Sequence, residues 1–299
     1  MKVIDFIFAA RPMLLMPVWS IYLLAFRLRY PFQAWEDANT LALVGLTLVS
    51  AGAYYINQIF DYESDRINNK IGFLQYDIIS KNEMIAAYLS VSLIAVIVTF
   101  FSSIFTAVMT LIICLLGLAY SAPPLKLKDR PLGGLLTNAG GFGVLIPLAA
   151  MSDLEADIHL VYIIFYFSLI VAAGYLLTII PDRKGDVVTG KSTLAAQLSN
   201  RRIISIGLVM LVCSLLMAFL IFNFYLIIIS TVSIALFIIA LMAPDENVIL
   251  VACKLPILLV VIVAGIYFPA YLVFILVLLI LTRLYYKKRF GLIYPRING

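Results

Sequence analysis

Apolar runs, most of them close to twenty residues long, dominate this chain, at 12–28, 40–60, 83–101, 103–120, 132–151, 158–180, 202–221 and 224–243, with a longer one at 249–286. A run of about twenty residues matches one crossing of a bilayer's hydrocarbon core. Lipid offers the backbone no hydrogen-bond partner, so a spanning segment must satisfy its own N–H and C=O groups, as a helix or in a closed barrel. A barrel would alternate apolar and polar residues in segments of about ten, whereas these blocks are continuous. The expected fold class is all-α, a polytopic membrane helix bundle. The last block suits two crossings broken near Pro269, or one crossing plus a partly buried helix, so about nine transmembrane helices are expected, or ten.

Composition narrows the function. Charged residues make up 12% of the chain, against roughly 25% in soluble domains. A net charge of +5 would raise nucleic acid as a partner for a soluble protein. Here basic loop residues report orientation instead, and no nucleic-acid partner is expected. His159 is the one histidine, which excludes a His-based metal site. Cys114, Cys213 and Cys253 lie far apart inside apolar runs and read as small buried hydrophobes. The N-terminal apolar residues are not followed by a small-residue cleavage site and read as the first span.

The basic residues fall mostly on one side. That side receives Arg66, Lys70 and Lys81, then Lys126, Lys128 and Arg130, then Arg183, Lys184, Lys191, Arg201 and Arg202. The other receives Arg27, Arg29 and the acidic "SDLEAD" at 152–157. The positive-inside rule puts the first set and the N-terminus in the cytoplasm, and ten spans would add Lys287, Lys288 and Arg289 to it. The chain is read as one membrane domain over 1–299, with repeat halves at roughly 1–125 and 126–245 and C-terminal helices in 249–286. No large soluble domain is present, so the chemistry is expected in the bundle and its inner mouth.

Two acidic motifs lie there. In "NQIFDYESD", Asn57, Asp61 and Asp65 recur every four residues and stack along one helix face. In "LLTIIPDRKGDVVTGKSTLA", Asp182 and Asp186 repeat the spacing, with Thr178 in the place of Asn57. The repetition suggests an internal duplication pairing the second span with the sixth. Two such helices facing each other would gather four carboxylates around one cavity, and these need cations. Carboxylate oxygens suit Mg²⁺ or Ca²⁺, not zinc or copper. Mg²⁺ takes one or two carboxylates and completes its octahedron with water and substrate phosphates. An aspartate at the end of a span is often a solvated flank, but charge near hydrocarbon is costly and usually functional.

The third segment is "YSAPPLKLKDRP", residues 120–131. Pro123 and Pro124 end the fourth span. Lys126 and Lys128 occupy alternate positions, so in an extended stretch they share a face suited to a diphosphate. Lys191 in "TGKSTLA" is a similar candidate. That run is not expected to be a Walker A loop, because the gap from Gly185 to Gly190 and Lys191 reads as one residue short of GxxxxGK and no strand precedes it. The glycine-rich "GGLLTNAGGFG" at 133–143 favours close helix packing, with Asn138 a candidate cavity residue. Arg11 precedes Pro12 at the start of the first span, where it either snorkels or holds an anionic or polar acceptor.

These segments together resemble the UbiA superfamily of intramembrane prenyltransferases. "NQIFDYESD" is similar to its NxxxDxxxD motif, "PDRKGDVVTGKSTLA" to its second DxxxD motif, "YSAPPLKLK" to the segment after its fourth helix, and "RPMLLMPV" to its first helix. The resemblance implies about nine helices around a central cavity open laterally to lipid. It implies Mg²⁺ as cofactor, held by Asn57, Asp61, Asp65, Asp182 and Asp186, with the four aspartates as catalytic residues gripping an allylic isoprenyl diphosphate donor. Lys126, Lys128 and Lys191 would be its basic diphosphate contacts, and Tyr120, Asn57, Arg11 and Asn138 further substrate contacts. The second substrate would be a lipophilic acceptor reached through membrane lipid: a quinone precursor, a glycerol-phosphate lipid, a carotenoid or a chlorin. "IGFLQYDIIS" stands where many members carry an RP pair, which counts against the 4-hydroxybenzoate and haem branches.

Two other readings compete. A cation-coupled transporter would use the carboxylates for a transported ion, but coupling ions sit near the bilayer midplane on broken helices, whereas these motifs lie at helix ends. A superfamily member that cyclises its isoprenoid would need no acceptor.

Overall fold

The computed structural model describes residues 2–67, 72–151 and 157–295. Lys70 and most of the acidic segment at 152–157, both used in the orientation argument, lie outside the described residues. All regular structure among the described residues is helical. The first span is α1 (Lys2–Ala9) and α2 (Met16–Arg29), joined by a 3-10 turn at Pro12–Leu15. Then come α3 (Asp37–Phe60), the short α4 (Tyr62–Ile67), α5 (Lys81–Phe100) and α6 (Ile104–Ser121). A broken piece follows: α7 (Gly133–Gly140), a π-helical turn at Gly141–Leu145 and α8 (Ile146–Ala149). After α9 (Ile158–Thr178) and the short α10 (Arg183–Val188) and α11 (Leu194–Gln197), the chain ends in α12 (Asn200–Ile221), α13 (Phe224–Met242), α14 (Glu246–Tyr267) and α15 (Pro269–Phe290).

Nine helices among the described residues are long and apolar enough to cross a membrane, counting Lys2–Arg29 as one. The block at 249–286 is two helices, divided at Phe268, with Pro269 in the first turn of α15 where its missing N–H costs nothing. Gly133–Ala149 is a further, shorter apolar helical piece. At 1.5 Å per residue it rises about 25 Å, the short end of what crosses a bilayer, and its Ala149 O accepts from Thr106 Oγ1 at the start of α6 at 3.4 Å.

Polar residues set the helix starts. Ser80, Ser103, Asp157, Ser199, Asn223 and Asp245 each accept a hydrogen bond from a first-turn N–H of α5, α6, α9, α12, α13 and α14. Such caps satisfy donors that have no intrahelical partner. The helices then pack α3 on α5 and α6, α9 on α12, α12 on α13, α13 on α14, and α14 on α2. The first span is the most enclosed, with 72% of its apolar window buried against 22–50% for the other eight. Its Trp19, Tyr22 and Phe26 join Tyr166 and Phe167 of α9 in the largest core cluster. Gly45 allows the close approach of α3 to α5, since a Cβ there would stand 2.2 Å from Thr99 Cγ2.

Candidate active site

The first acidic motif straddles a helix break. α3 ends at Phe60, yet the Asp61 N–H still donates to Asn57 O and the Asp65 N–H to Asp61 O, both at 2.8 Å. The one-turn stacking of 57, 61 and 65 therefore carries through into α4. The second motif has a sharper break, because Pro181 lies between α9 and α10, and the Asp186 N–H donates to Asp182 O at 3.0 Å. The parallel between Asn57 and Thr178 fails at the side chains. Thr178 is exposed and donates to its own helix at Tyr175 O, 2.7 Å away, whereas Asn57 faces a cavity.

The third segment departs from the extended stretch expected of it. After the two prolines the chain turns: Lys126 adopts a left-handed backbone (φ 39°) and Leu127–Asp129 form a 3-10 turn. The two lysines consequently part. Lys128 is 7% exposed. Lys126 stays half-buried, without a side-chain hydrogen bond or ion pair among the described residues. The gap expected to be one residue short is complete: residues 185–192, GDVVTGKS, do spell the letters of a Walker A loop. They form α10 and a turn with Gly190 at φ +71°, and no strand precedes them among the described residues.

Asp61 is where the segments meet. Its Oδ1 accepts from Lys128 Nζ at 2.8 Å and from Lys191 Nζ at 2.9 Å. Lys128 also donates to Asn57 Oδ1 at 2.9 Å. Lys191 donates to Ser64 Oγ at 2.9 Å and lies 3.6 Å from Asp186 Oδ1 and 3.9 Å from Asp129 Oδ1. Thr193 donates to Asp186 Oδ2 at 3.2 Å. Arg11 approaches Asp65 Oδ2 at 3.5 Å, so its partner in this structure is an acidic-motif residue. The two acidic motifs thus face each other across Lys191, and α4 touches α10.

Burial pushes the Asp61 carboxyl up, but Lys128 and Lys191 together more than offset it and hold it below the usual carboxylate range. Burial lowers the Lys128 ammonium below its ordinary value, a pull that Asp61 only partly opposes. Burial also works against Lys191, yet Asp61, Asp186 and Asp129 raise it above the ordinary lysine value. Asp186 goes the other way from Asp61. Burial and the neighbouring Asp182 and Asp61 raise it, with Lys191 and Thr193 opposing.

Directly beside Asn57 a cavity of about 170 Å³ opens between α3, α6 and the α7–α8 piece. Tyr54, Tyr120 and Phe142 supply aromatic walls, and Thr137 and Asn138 add polar ones. Tyr120 has Asn138 and Tyr175 as polar neighbours. The π turn that carries Gly141 and Phe142 to this wall is of a kind frequent at functional sites.

No three carboxylates among the described residues form a preformed metal cage. That fits Mg²⁺, which uses one or two carboxylates and takes its remaining ligands from phosphates and water. Asp129 Oδ1 is buried with no hydrogen-bond partner, and Asp61 Oδ2 has none among the described residues. These donors are oxygens, the type a hard cation takes.

Ser64, Asp129 and Thr193 belong to this cluster although the sequence reading did not single them out. Ser64 sits beside Asp65, Asp129 is the one acid in "KLKDRP", and Thr193 lies two residues after Lys191. An acid embedded in a basic run was the available signal.

Comparisons with known proteins agree with this architecture. A profile of the UbiA prenyltransferase family matches residues 14–247. A digeranylgeranylglyceryl phosphate synthase of Sulfurisphaera tokodaii is 28% identical over 184 residues, which is 60% of this chain and 64% of the relative. A chloroplastic 2-acyl-4-prenylphloroglucinol 6-prenyltransferase of Humulus lupulus is 27% identical over 179 residues, 56% of this chain and 44% of the relative. The matches therefore span about half to just under two thirds of these relatives' lengths. Among solved structures, a UbiA homolog from Archaeoglobus fulgidus bound to GPP and Mg²⁺ superimposes with a TM-score of 0.67 at 18% identity, covering 87% of this chain and 99% of that one. An apo UbiA homolog from Aeropyrum pernix K1 gives 0.67 at 16%, covering 87% and 97%. With its all-helical bundle and a family match over most of its length, this chain belongs to the UbiA prenyltransferase family.

Proposed function

We propose that this chain transfers an isoprenyl group from an allylic isoprenyl diphosphate to a lipophilic acceptor within the membrane, releasing diphosphate. The observation that carries the reading is the bridge of Lys191 between Asp61 and Asp186 at the mouth of an aromatic-walled cavity. Asp61, Asp65, Asp182 and Asp186, with the Asn57 amide oxygen, are the residues that would hold Mg²⁺, one or two carboxylates to an ion. Bound there, the ion would supply charge neutralisation for the leaving diphosphate. The relative from Archaeoglobus fulgidus, with GPP and Mg²⁺ bound, supports this choice of donor and metal.

The chain's own groups do the rest. Lys128 and Lys191 would exchange their carboxylate contacts for diphosphate oxygens. This favours heterolysis of the allylic C–O bond, with the electron pair leaving on the diphosphate. Tyr54, Tyr120 and Phe142 line the space for the resulting allylic cation. Their faces attract positive charge, and the apolar wall limits quenching by water. The acceptor's nucleophilic atom then forms the new bond and loses its proton. The acidic motifs would face the cytoplasm.

The test is diphosphate release from geranylgeranyl diphosphate by purified protein, with and without Mg²⁺ and with membrane lipid extract as the acceptor source. Release that requires Mg²⁺, with a product heavier than the isoprenoid alone, supports transfer. Release yielding only a cyclised hydrocarbon indicates the acceptor-free alternative, and no release with Mg²⁺ present overturns the reading.

A further inference from the structure

The family profile stops at residue 247, and the chain beyond it packs against α1 and the turn that follows Arg11. α15 brings its last turns against α1. The Tyr285 ring stacks on Phe8 with centroids 3.9 Å apart and planes 9° from parallel. Tyr285 Oη donates to Asp5 Oδ1 at 2.6 Å, and an Arg289 terminal nitrogen donates to Asp5 Oδ2 at 3.3 Å. Arg289 Nε stands 3.2 Å from Asp5 Oδ1 as an ion-pair contact, its N–H not aimed at the oxygen. Asp5 is 3% exposed. A carboxylate buried that deeply must be matched by charge and hydrogen bonds, and among the described residues its hydrogen-bond and ion-pair partners all come from α15.

α1 is gripped from the other side by α3. Tyr55 Oη donates to Phe6 O at 2.8 Å, Gln58 Nε2 to Ala9 O at 2.8 Å and Tyr54 Oη to Leu14 O at 2.9 Å. Between these clamps the chain passes through Arg11 with a left-handed backbone, φ 53° and ψ 59°. A non-glycine residue holds such a conformation only where its surroundings over-determine it. That geometry is what carries the guanidinium to Asp65. Past Gly291 (φ +68°) the tail folds back, with Tyr294 packed on Tyr286 at 4.7 Å between centroids. The phenols of Tyr54, Tyr286 and Tyr294 all lie within electrostatic range of Arg11.

We infer that Asp5, Tyr285 and Arg289 are positioning residues for Asp65: α15 holds α1, α1 fixes Arg11, and Arg11 sets the orientation of one metal-binding carboxylate. This rests on the metal reading proposed above. A helix outside the family profile would then tune cation affinity at the site without touching substrate.

The test uses full-length protein in detergent with Mn²⁺ as a spectroscopic probe and inorganic diphosphate as the second ligand. Mn²⁺ affinity is read by electron paramagnetic resonance, well below each variant's melting temperature. Arg289→Gln is expected to weaken Mn²⁺ binding about tenfold, and Arg289→Lys, which keeps the charge but loses the planar fork, by less. Combining Arg289→Gln with Arg11→Gln should weaken binding no further than Arg11→Gln alone, because both act along one path. An Arg289→Gln protein that melts lower but binds Mn²⁺ as before overturns the proposal, and so do additive effects in the double variant. If the unsubstituted protein binds no Mn²⁺, the metal reading itself falls and takes this proposal with it.

Discussion

Lys191 Nζ lies 2.9 Å from Asp61 Oδ1 although 130 residues separate them in sequence. The same ammonium stands 3.6 Å from Asp186. One lysine therefore neutralises carboxylates from both acidic motifs and keeps two mutually repelling helix ends adjacent. Lys191→Gln removes that charge while preserving much of the side chain's length. Loss of one preorganised charge-stabilising donor costs about 10²–10³ in rate, so a fall of roughly 10²-fold in kcat/KM for diphosphate release is expected. Steady-state kinetics at saturating Mg²⁺ checks it, and an unchanged kcat/KM would remove Lys191 from the diphosphate site.

Replacing Asp61 tests the metal site only if the substitution is chosen for its neighbours. Lys128 is 7% exposed and Lys191 shares the same Asp61 oxygen. Asp61→Ala would leave both ammoniums without their main counter-charge, and breaking such a buried pair costs about 3–5 kcal/mol. Asp61→Asn keeps an acceptor for the lysines while losing the charge a cation needs. The expected outcome is near-complete loss of activity in both, with a markedly lower melting temperature in Asp61→Ala than in Asp61→Asn. Asp182→Ala is expected to abolish turnover as well. Thermal melts read beside activity separate the two effects.

Asp186 gives the site a pH dependence of defined sign. Its carboxyl is raised, by burial first and then by Asp182 and Asp61, while Lys128 and Lys191 hold Asp61 low. A cation binds only the deprotonated ligand. As pH falls, Asp186 takes up its proton before an ordinary aspartate of pKa near 3.9 would, while Asp61 keeps its charge longer. The Mg²⁺ concentration for half-maximal activity should therefore rise on acidification. In Asp186→Asn it should start high and change little with pH. A flat profile in the unsubstituted protein would remove Asp186 from the cation's ligands.

Much of the bundle was legible because hydrocarbon imposes one-dimensional rules. Runs such as 202–221 and 224–243 became α12 and α13 almost residue for residue, and caps such as Ser199 and Asn223 mark where they begin. The spacing of Asp61 and Asp65 was readable for the same reason, since helical period is local. Pairing was not. Nothing in periodicity couples Arg11 to Asp65 or Lys128 to Asp61, because those contacts depend on how separate helices lie against one another. The extended reading of Lys126 and Lys128 failed on backbone chemistry, since no glycine or asparagine at 126 announces the left-handed turn. The π turn at Gly141–Leu145 was not legible either, because the apolarity of 132–151 runs through it without a break.

That π turn supplies a last prediction about the cavity. Gly143 sits within it, and a Cβ there would fall 2.3 Å from Ser168 Cα and 2.6 Å from Ser168 N on α9. Both are backbone atoms that no rotamer change can move, so Gly143→Ala must push the α7–α8 piece away from α9. Overpacking of this kind costs about 1–3 kcal/mol. Gly140, with nothing within 4 Å of a Cβ, provides the control on the same segment. Gly141 and Phe142 on this piece line the cavity opposite Tyr54 and Asn57, so a shift there reshapes the space for the isoprenyl chain or its acceptor while leaving Asp61 and its lysines in place. Gly143→Ala should melt lower than Gly140→Ala and raise the KM for substrate more than it raises the Mg²⁺ requirement. Equal behaviour of the two variants would mean that the packing of this segment against α9 does not shape the cavity.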